Sequence, residues 1–165
     1  MAYSTIVKTK RDGLIQLRDG TGSPVTLDVS YEDGNLTFET PLDDQTVIRD
    51  RGALANVRKG DSQPITGSFA FHFRQFTDSA NPGSVTDFCS GSGNYSANIS
   101  TGLAGTPYVE HFCVDIQFKI EGTDLGDAKD HQCNIAKAVC SLSFSEGESD
   151  VWTLSFTAYG GVVYT

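Results

Sequence analysis

A chain of 165 residues with 38% hydrophobic content can build a real core, and at this length one domain spanning residues 1–165 is the expectation. Its 21 Asp/Glu against 12 Lys/Arg give a net charge of −9, which disfavours sequence-specific nucleic-acid binding, since that depends on cations neutralising phosphates. The charge is uneven, with nine Lys/Arg and ten Asp/Glu in residues 1–74 but three and eleven in residues 75–165.

Met1 to Arg11 contain no apolar run that would serve as a signal core, and no later segment is long and apolar enough to span a bilayer. The expectation is a protein made in the cytoplasm with no membrane partner. Val25, Leu27, Val29 and Tyr31 then alternate with Thr26, Asp28, Ser30 and Glu32. Asp33-Gly34 reads as a turn into Leu36 and Phe38, which alternate with Thr37 and Glu39, so a hairpin is predicted over residues 25–39. Residues 41–63 show no strand pattern but carry Arg49, Asp50, Arg51, Arg58, Lys59 and Asp61. A connection of that length is expected to be functional or to be ordered by a partner, and its charge suits a partner surface better than a reaction.

From Ile65 the chain alternates again, with Ile65, Gly67, Phe69, Phe71 and Phe73 on one side and Thr66, Ser68, His72 and Arg74 on the other. That is a half-buried strand. Ser84 followed three residues later by Asp87 has capping-box spacing and predicts one short helix over residues 85–89, ended by Gly91 and Gly93. Residues 91–107 form a second long connection. Phe112, Val114, Ile116, Phe118 and Ile120 share one parity of the longest clean strand, opposite His111, Cys113, Asp115, Gln117 and Lys119. Ala136, Ala138, Cys140, Leu142 and Phe144 are expected on one face of the next strand, and Trp152, Leu154, Phe156 and Ala158 on one face of the last. The turn Glu146-Gly147-Glu148 makes these two a second hairpin. Strands with one apolar and one polar face leave water on one side of a sheet, and their open edges are managed either in a monomeric sandwich or by sharing strands among subunits.

Catalytic constellations are missing from the sequence. Cys89, Cys113, Cys133 and Cys140 show no CxxC spacing and read as free packing thiols. His111 and Cys113, joined by Cys133 or His131, are the best zinc set the sequence offers, and a zinc-dependent hydrolase built on them is the weakest reading. The carboxylate pairs Asp43-Asp44 and Glu146/Glu148 sit in predicted turns, no serine lies in a GxSxG elbow, and Gly91-Ser92-Gly93 lacks the rest of a phosphate loop. No enzyme and no cofactor is expected.

The order of elements resembles the tail tube (major tail) protein of long-tailed bacteriophages. The resemblance is carried by Tyr31-Glu32-Asp33-Gly34-Asn35-Leu36-Thr37-Phe38, by Val47-Ile48-Arg49-Asp50-Arg51-Gly52, and by Arg58 through Phe69. The short helix near Asp87 and the paired strands around Glu146-Gly147-Glu148 complete it. It implies a mainly β chain, an antiparallel β-sandwich with one flanking helix whose sheets are shared into a barrel in a hexameric ring. Stacked rings would form a virion tail tube, made in the host bacterial cytoplasm, that conducts DNA during ejection. Implied partners are further copies of the chain, other tail proteins (sheath, terminator, tape measure or baseplate) and DNA in transient, non-specific passage. Arg49, Asp50, Arg51, Arg58, Lys59 and Asp61 would form the ring-stacking loop. Asp28, Glu32, Glu39 and Asp115 would line the lumen, where carboxylates repel passing phosphates. The alternative is a carbohydrate-binding β-sandwich module using Tyr95, Tyr108, Trp152 or Tyr159, although Trp152 shares the core parity of Leu154 and Phe156.

Overall fold

The structure is a computed structural model that describes residues 13–19, 23–29, 35–72, 84–91, 111–123, 126, 128–147 and 150–165. Its elements in chain order are β1 (Gly13–Arg18), β2 (Thr26–Val29), β3 (Thr37–Glu39), β4 (Gln45–Asp50), β5 (Ala53–Lys59), β6 (Ile65–His72), α1 (Val85–Ser90), β7 (Val114–Ile120), β8 (His131–Ser143), β9 (Val151–Ala158) and β10 (Val162–Tyr164). All pairings are antiparallel. Eight strands form one sheet in the order β2-β1-β7-β8-β9-β6-β3, with β10 also paired to β8, while β4 and β5 pair only with each other. The sheet does not close into a barrel.

Strand β8 is the pivot. Two steps of β7, from Val114 to Ile116, face three of β8, from Ala138 back to Ile135, so β8 bulges at Ala136 and Lys137. Lys137 takes a left-handed backbone (φ 55°), and its N–H donates to Asp115 Oδ1 at 2.9 Å. Before the bulge β8 pairs with β7 and β10; after it, the edge that held β10 holds β9. Gly160 and Gly161 mark the same corner on the neighbouring chain, where a Cβ on Gly160 would lie 2.8 Å from that of Ala136. The bulge also switches parity, because the buried residues are Cys133 and Ile135 before it but Ala138 after it. Ala136, expected with Ala138 and Cys140, therefore belongs to the bulge and not to that face.

The bend folds the sheet over a shared core. Ile15, Leu17, Val114, Ile116 and Ile135 from one half meet Ile65, Phe69, Leu154 and Phe156 from the other, with Val85 and Phe88 of α1 in the same cluster. The halves pack so that Phe38 of β3 lines an apolar cavity of about 540 Å³ with Phe118, Ile120 and Cys133. This is a sandwich whose corner is made by a bulged strand. Gly67 leaves room for its neighbours on the flanking strands β3 and β9: a Cβ there would meet the Phe156 ring, and would lie 2.5 Å from the Thr37 carbonyl oxygen and 2.8 Å from Phe38 Cβ.

The capping box forms as its spacing indicates. The Asp87 N–H donates to Ser84 Oγ at 3.2 Å and the Ser84 hydroxyl donates to Asp87 Oδ2 at 3.0 Å, while Gly91 closes the helix in the left-handed region. Strand β6 follows the sequence pattern from Ile65 to His72 and β8 and β9 pair as a hairpin, while Phe73, Arg74 and Glu148 lie outside the described residues. Two other expectations are corrected. The pattern over residues 25–39 does not make a hairpin, since β2 pairs with β1 and β3 pairs with β6 at the opposite end of the sheet order; the Asp33-Gly34 turn lies outside the described residues. Residues 41–63 are not irregular but contain the β4–β5 hairpin.

Candidate assembly surfaces

The β4–β5 hairpin projects from the sandwich on a stapled base. The Asp44 N–H donates to the Asp61 carbonyl at 3.0 Å, the Gly60 N–H donates to the Asp44 carbonyl, and Lys59 Nζ lies 2.6 Å from Asp43 Oδ2. The lysine's hydrogen bond is the largest cause holding the Asp43 carboxyl below its usual range. At the tip, Arg51 (φ 45°) and Gly52 (φ 87°) are both left-handed between the paired Asp50 and Ala53, as a type I′ turn requires. Every residue of β5 is exposed, and in β4 all but Ile48 are. Cross-strand pairs place Val47 with Val57, and Arg49 with Leu54, on one face, whereas Thr46 pairs with Arg58 on the other. Leu54 is 63% exposed, Val47 48% and Val57 46%.

Thus the predicted stacking residues are gathered on one element. Arg49 and Lys59 share the apolar face, Arg58 occupies the reverse, Asp50 and Arg51 form the tip, and Asp61 helps hold the base. Arg49, Arg51 and Arg58 make no ion pair among the described residues. Between Gln45 and Lys59 four cations stand against one carboxylate, while Asp43, Asp44 and Asp61 gather at the base, where Asp43 pairs with Lys59, so the positive charge lies toward the tip.

Of the predicted lumen residues, Asp28 and Asp115 share a face and Glu39 lies on the other half of the sheet. Asp28 is exposed on β2 and accepts from Gln16 Nε2 at 2.6 Å, and Asp115 shares that outer face two strands away. Asp115 spends an oxygen on the bulge amide of Lys137. Glu39 lies on edge strand β3 of the other half, beside Thr66 and Thr157, and Glu32 falls outside the described residues. The outer face around Glu39 is built from hydroxyls, with Thr37, Ser68, Ser155 and Ser141 forming one row across four strands.

No group of three or more metal-ligating side chains occurs among the described residues. His111 and Cys113, expected on one strand face, both precede β7, with His111 exposed and Cys113 buried. Burial is the main cause that pushes the Cys113 thiol up to about 11. All four cysteines are free thiols. Of the proposed sugar-binding aromatics, Tyr159 is 58% exposed, while Tyr95 and Tyr108 lie outside the described residues. Trp152 is only partly buried; it stacks on the exposed Phe144 ring with centroids 4.7 Å apart and planes 13° from parallel. The sequence reading missed this pair because both residues carry core parity.

No protein-family profile and no curated protein matches the sequence. Solved structures do share the fold. One is the sheath/tube terminator of an extracellular contractile injection system, PVC, in the extended state, with a TM-score of 0.56, 14% identity and 99% of each chain covered. The PVC sheath-tube complex in the extended state is similar, with a TM-score of 0.52, 14% identity and 99% of each chain. The tube terminating cap of the anti-feeding prophage aligns over 100% of this chain and 94% of its own, with a TM-score of 0.53 and 14% identity. Over its whole length, then, the chain has the fold of components of contractile injection systems.

Proposed function

We propose that this protein is a structural subunit of a phage tail or tail-like injection particle. Its copies close into hexameric rings, and the rings stack into a tube that conducts DNA. The observation that carries the reading is the β4–β5 hairpin, a two-stranded sheet with both faces in water on a fold shared with injection-system components. An isolated hairpin is marginal in water, so a partner that covers it supplies stability the free subunit lacks. Heterologous contacts give that partner naturally, closing when the symmetry is a ring and remaining open along the stack. Among the described strands β2 and β3 are the edges of the sheet, and they suit lateral joining of subunits into a shared barrel. In this reading the chain acts without catalysis, its partners are its own copies and other tail proteins, and it resides in the assembled particle.

A second reading is favoured by the likeness to a tube terminator and a terminating cap: one ring that closes the end of a tube built from another protein. Electron microscopy of the purified protein at rising concentration separates the two. Long hollow tubes support the tube subunit, and rings that stop at one layer support the terminator. A monomer at every concentration refutes both.

A further inference from the structure

Helix α1 is six residues long, too short to hold itself in water, so its place is set by what it packs on. Val85 and Phe88 enter the core, and Cys89, in the last turn beside the exposed Ser90, packs against the same cluster. The helix rests on β8. Its end is held at the Gly91 cap, where a Cβ would lie 2.7 Å from the Phe112 ring. On β8, past the bulge and paired with Phe156 of β9, Cys140 packs against that cluster as well. Here the two thiols meet, and they are hydrogen-bonded to each other. Sulfurs already in contact reach bonding distance by side-chain rotation.

We infer that Cys89 and Cys140 are a disulfide-forming pair, closed by a small-molecule disulfide such as oxidised glutathione and open where thiols are kept reduced. The bond to Cys89, ahead of burial, holds the Cys140 thiol well above its ordinary range, so Cys140 keeps its proton and Cys89 reacts first. The Cys89 thiolate attacks one sulfur of the small disulfide, forms a mixed disulfide and expels one thiolate. Capping Cys89 removes the hydrogen bond that held the Cys140 proton. Cys140 then loses that proton and attacks Cys89 Sγ, which forms the Cys89–Cys140 bond and expels the second thiolate. Two protein thiols are oxidised, one small disulfide is reduced to two thiols, and the two protons pass from the protein to those thiols. Cys113 also feels the charge of Cys140, but it is buried with its thiol pushed up to about 11, chiefly by that burial, which makes it the poorer nucleophile. The new bond encloses fifty residues (90–139) and ties α1 to the half of the sheet past the bulge. A closed loop of that length removes much freedom from the unfolded chain.

The test equilibrates the full chain, purified under reduction, with oxidised glutathione at mildly alkaline pH and maps its peptides without reduction. The chain should become lighter by two hydrogens, its four free thiols should fall to two, and one linked pair of peptides should carry Cys89 and Cys140. Its melting temperature should rise by roughly 5–10 °C and fall back on reduction. Cys89→Ser should melt with the reduced parent, form no disulfide under the same treatment and show no rise. Four thiols still free at equilibrium, arrest at a glutathione adduct on Cys89, a link through Cys113 or Cys133, or a link between two chains would each overturn the pairing. So would an internal disulfide in Cys89→Ser. Should that variant melt early, the peptide map of the parent still decides, because it needs no substitution.

Discussion

Replacing Leu54 and Val57 by serine should abolish stacking at concentrations where the parent assembles, while leaving the subunit folded. Complete burial of a Val or Leu side chain is worth about 1.5–3 kcal/mol. Leu54 keeps 63% of its surface in water and Val57 46%, so a neighbouring subunit that covers both gains about 2–3 kcal/mol per contact. Losing that raises the critical concentration for stacking roughly 50-fold. The free subunit has little to lose, because neither side chain joins the core, and exposed substitutions usually shift stability by less than about 0.5 kcal/mol. Sedimentation velocity across a concentration series, with a thermal melt of each variant, reads both quantities. Tubes at the parent's critical concentration would refute the hairpin as the contact; an early melt would show that it stabilises the subunit itself.

Gly67→Ala should lower the melting temperature by several degrees. The added Cβ collides with Phe156, Phe38 and the Thr37 carbonyl at a cost of about 1–3 kcal/mol, which exceeds the ~0.4–1 kcal/mol gained by restricting the unfolded chain; an unchanged melt would show that the side chains of β3 and β9 do not crowd Gly67. Asp115→Ala should destabilise by about 1 kcal/mol and speed hydrogen exchange at the Lys137 amide, which loses its acceptor, and equal exchange in both proteins would discount that bond. Asp43 should titrate by NMR below the usual carboxylate range and move up toward it in Lys59→Met, with the hydrogen bonds from Ser62 and the Gln63 backbone still lowering it. Because its folded pKa is depressed, its contribution to the hairpin base is present above the ordinary carboxylate pKa and fades as pH falls through the folded value. A titration unmoved by Lys59→Met would separate the two side chains.

Local chemistry with its own period was legible from the sequence. The Ser84–Asp87 cap, the alternation of β6 and the β8–β9 hairpin all depend on neighbours within a few residues, and over the described residues all three form, Ala136 apart. Choice of partner was not legible, because alternation over residues 25–39 says which face is buried but not which strand lies alongside. Strands β4 and β5 left no periodic signal, since neither has a buried face to impose one. The parity switch in β8 was written in Cys133 and Ile135 against Ala138 and Cys140, yet only the bulge between them gives it meaning. Of the site residues, the basic set could be read as a group because it is contiguous. The placing of the carboxylates could not, since the shared face of Asp28 and Asp115, with Glu39 on the other half, depends on which strands lie side by side.

The bulge in β8 has a kinetic consequence. Because this one strand completes both layers, neither half is finished until residues 131–143 are in place, and the pairs Gly13 with Ile120 and Ile65 with Ala158 join segments more than ninety residues apart. Topologies dominated by such distant pairings fold slowly, since chain closure must precede any reward from contact. A nascent chain emerging from the ribosome therefore carries Ile15, Leu17, Phe69 and Phe71 uncovered through most of its synthesis. Cooler expression and chaperone supply should govern the soluble yield of this protein more strongly than its equilibrium stability does.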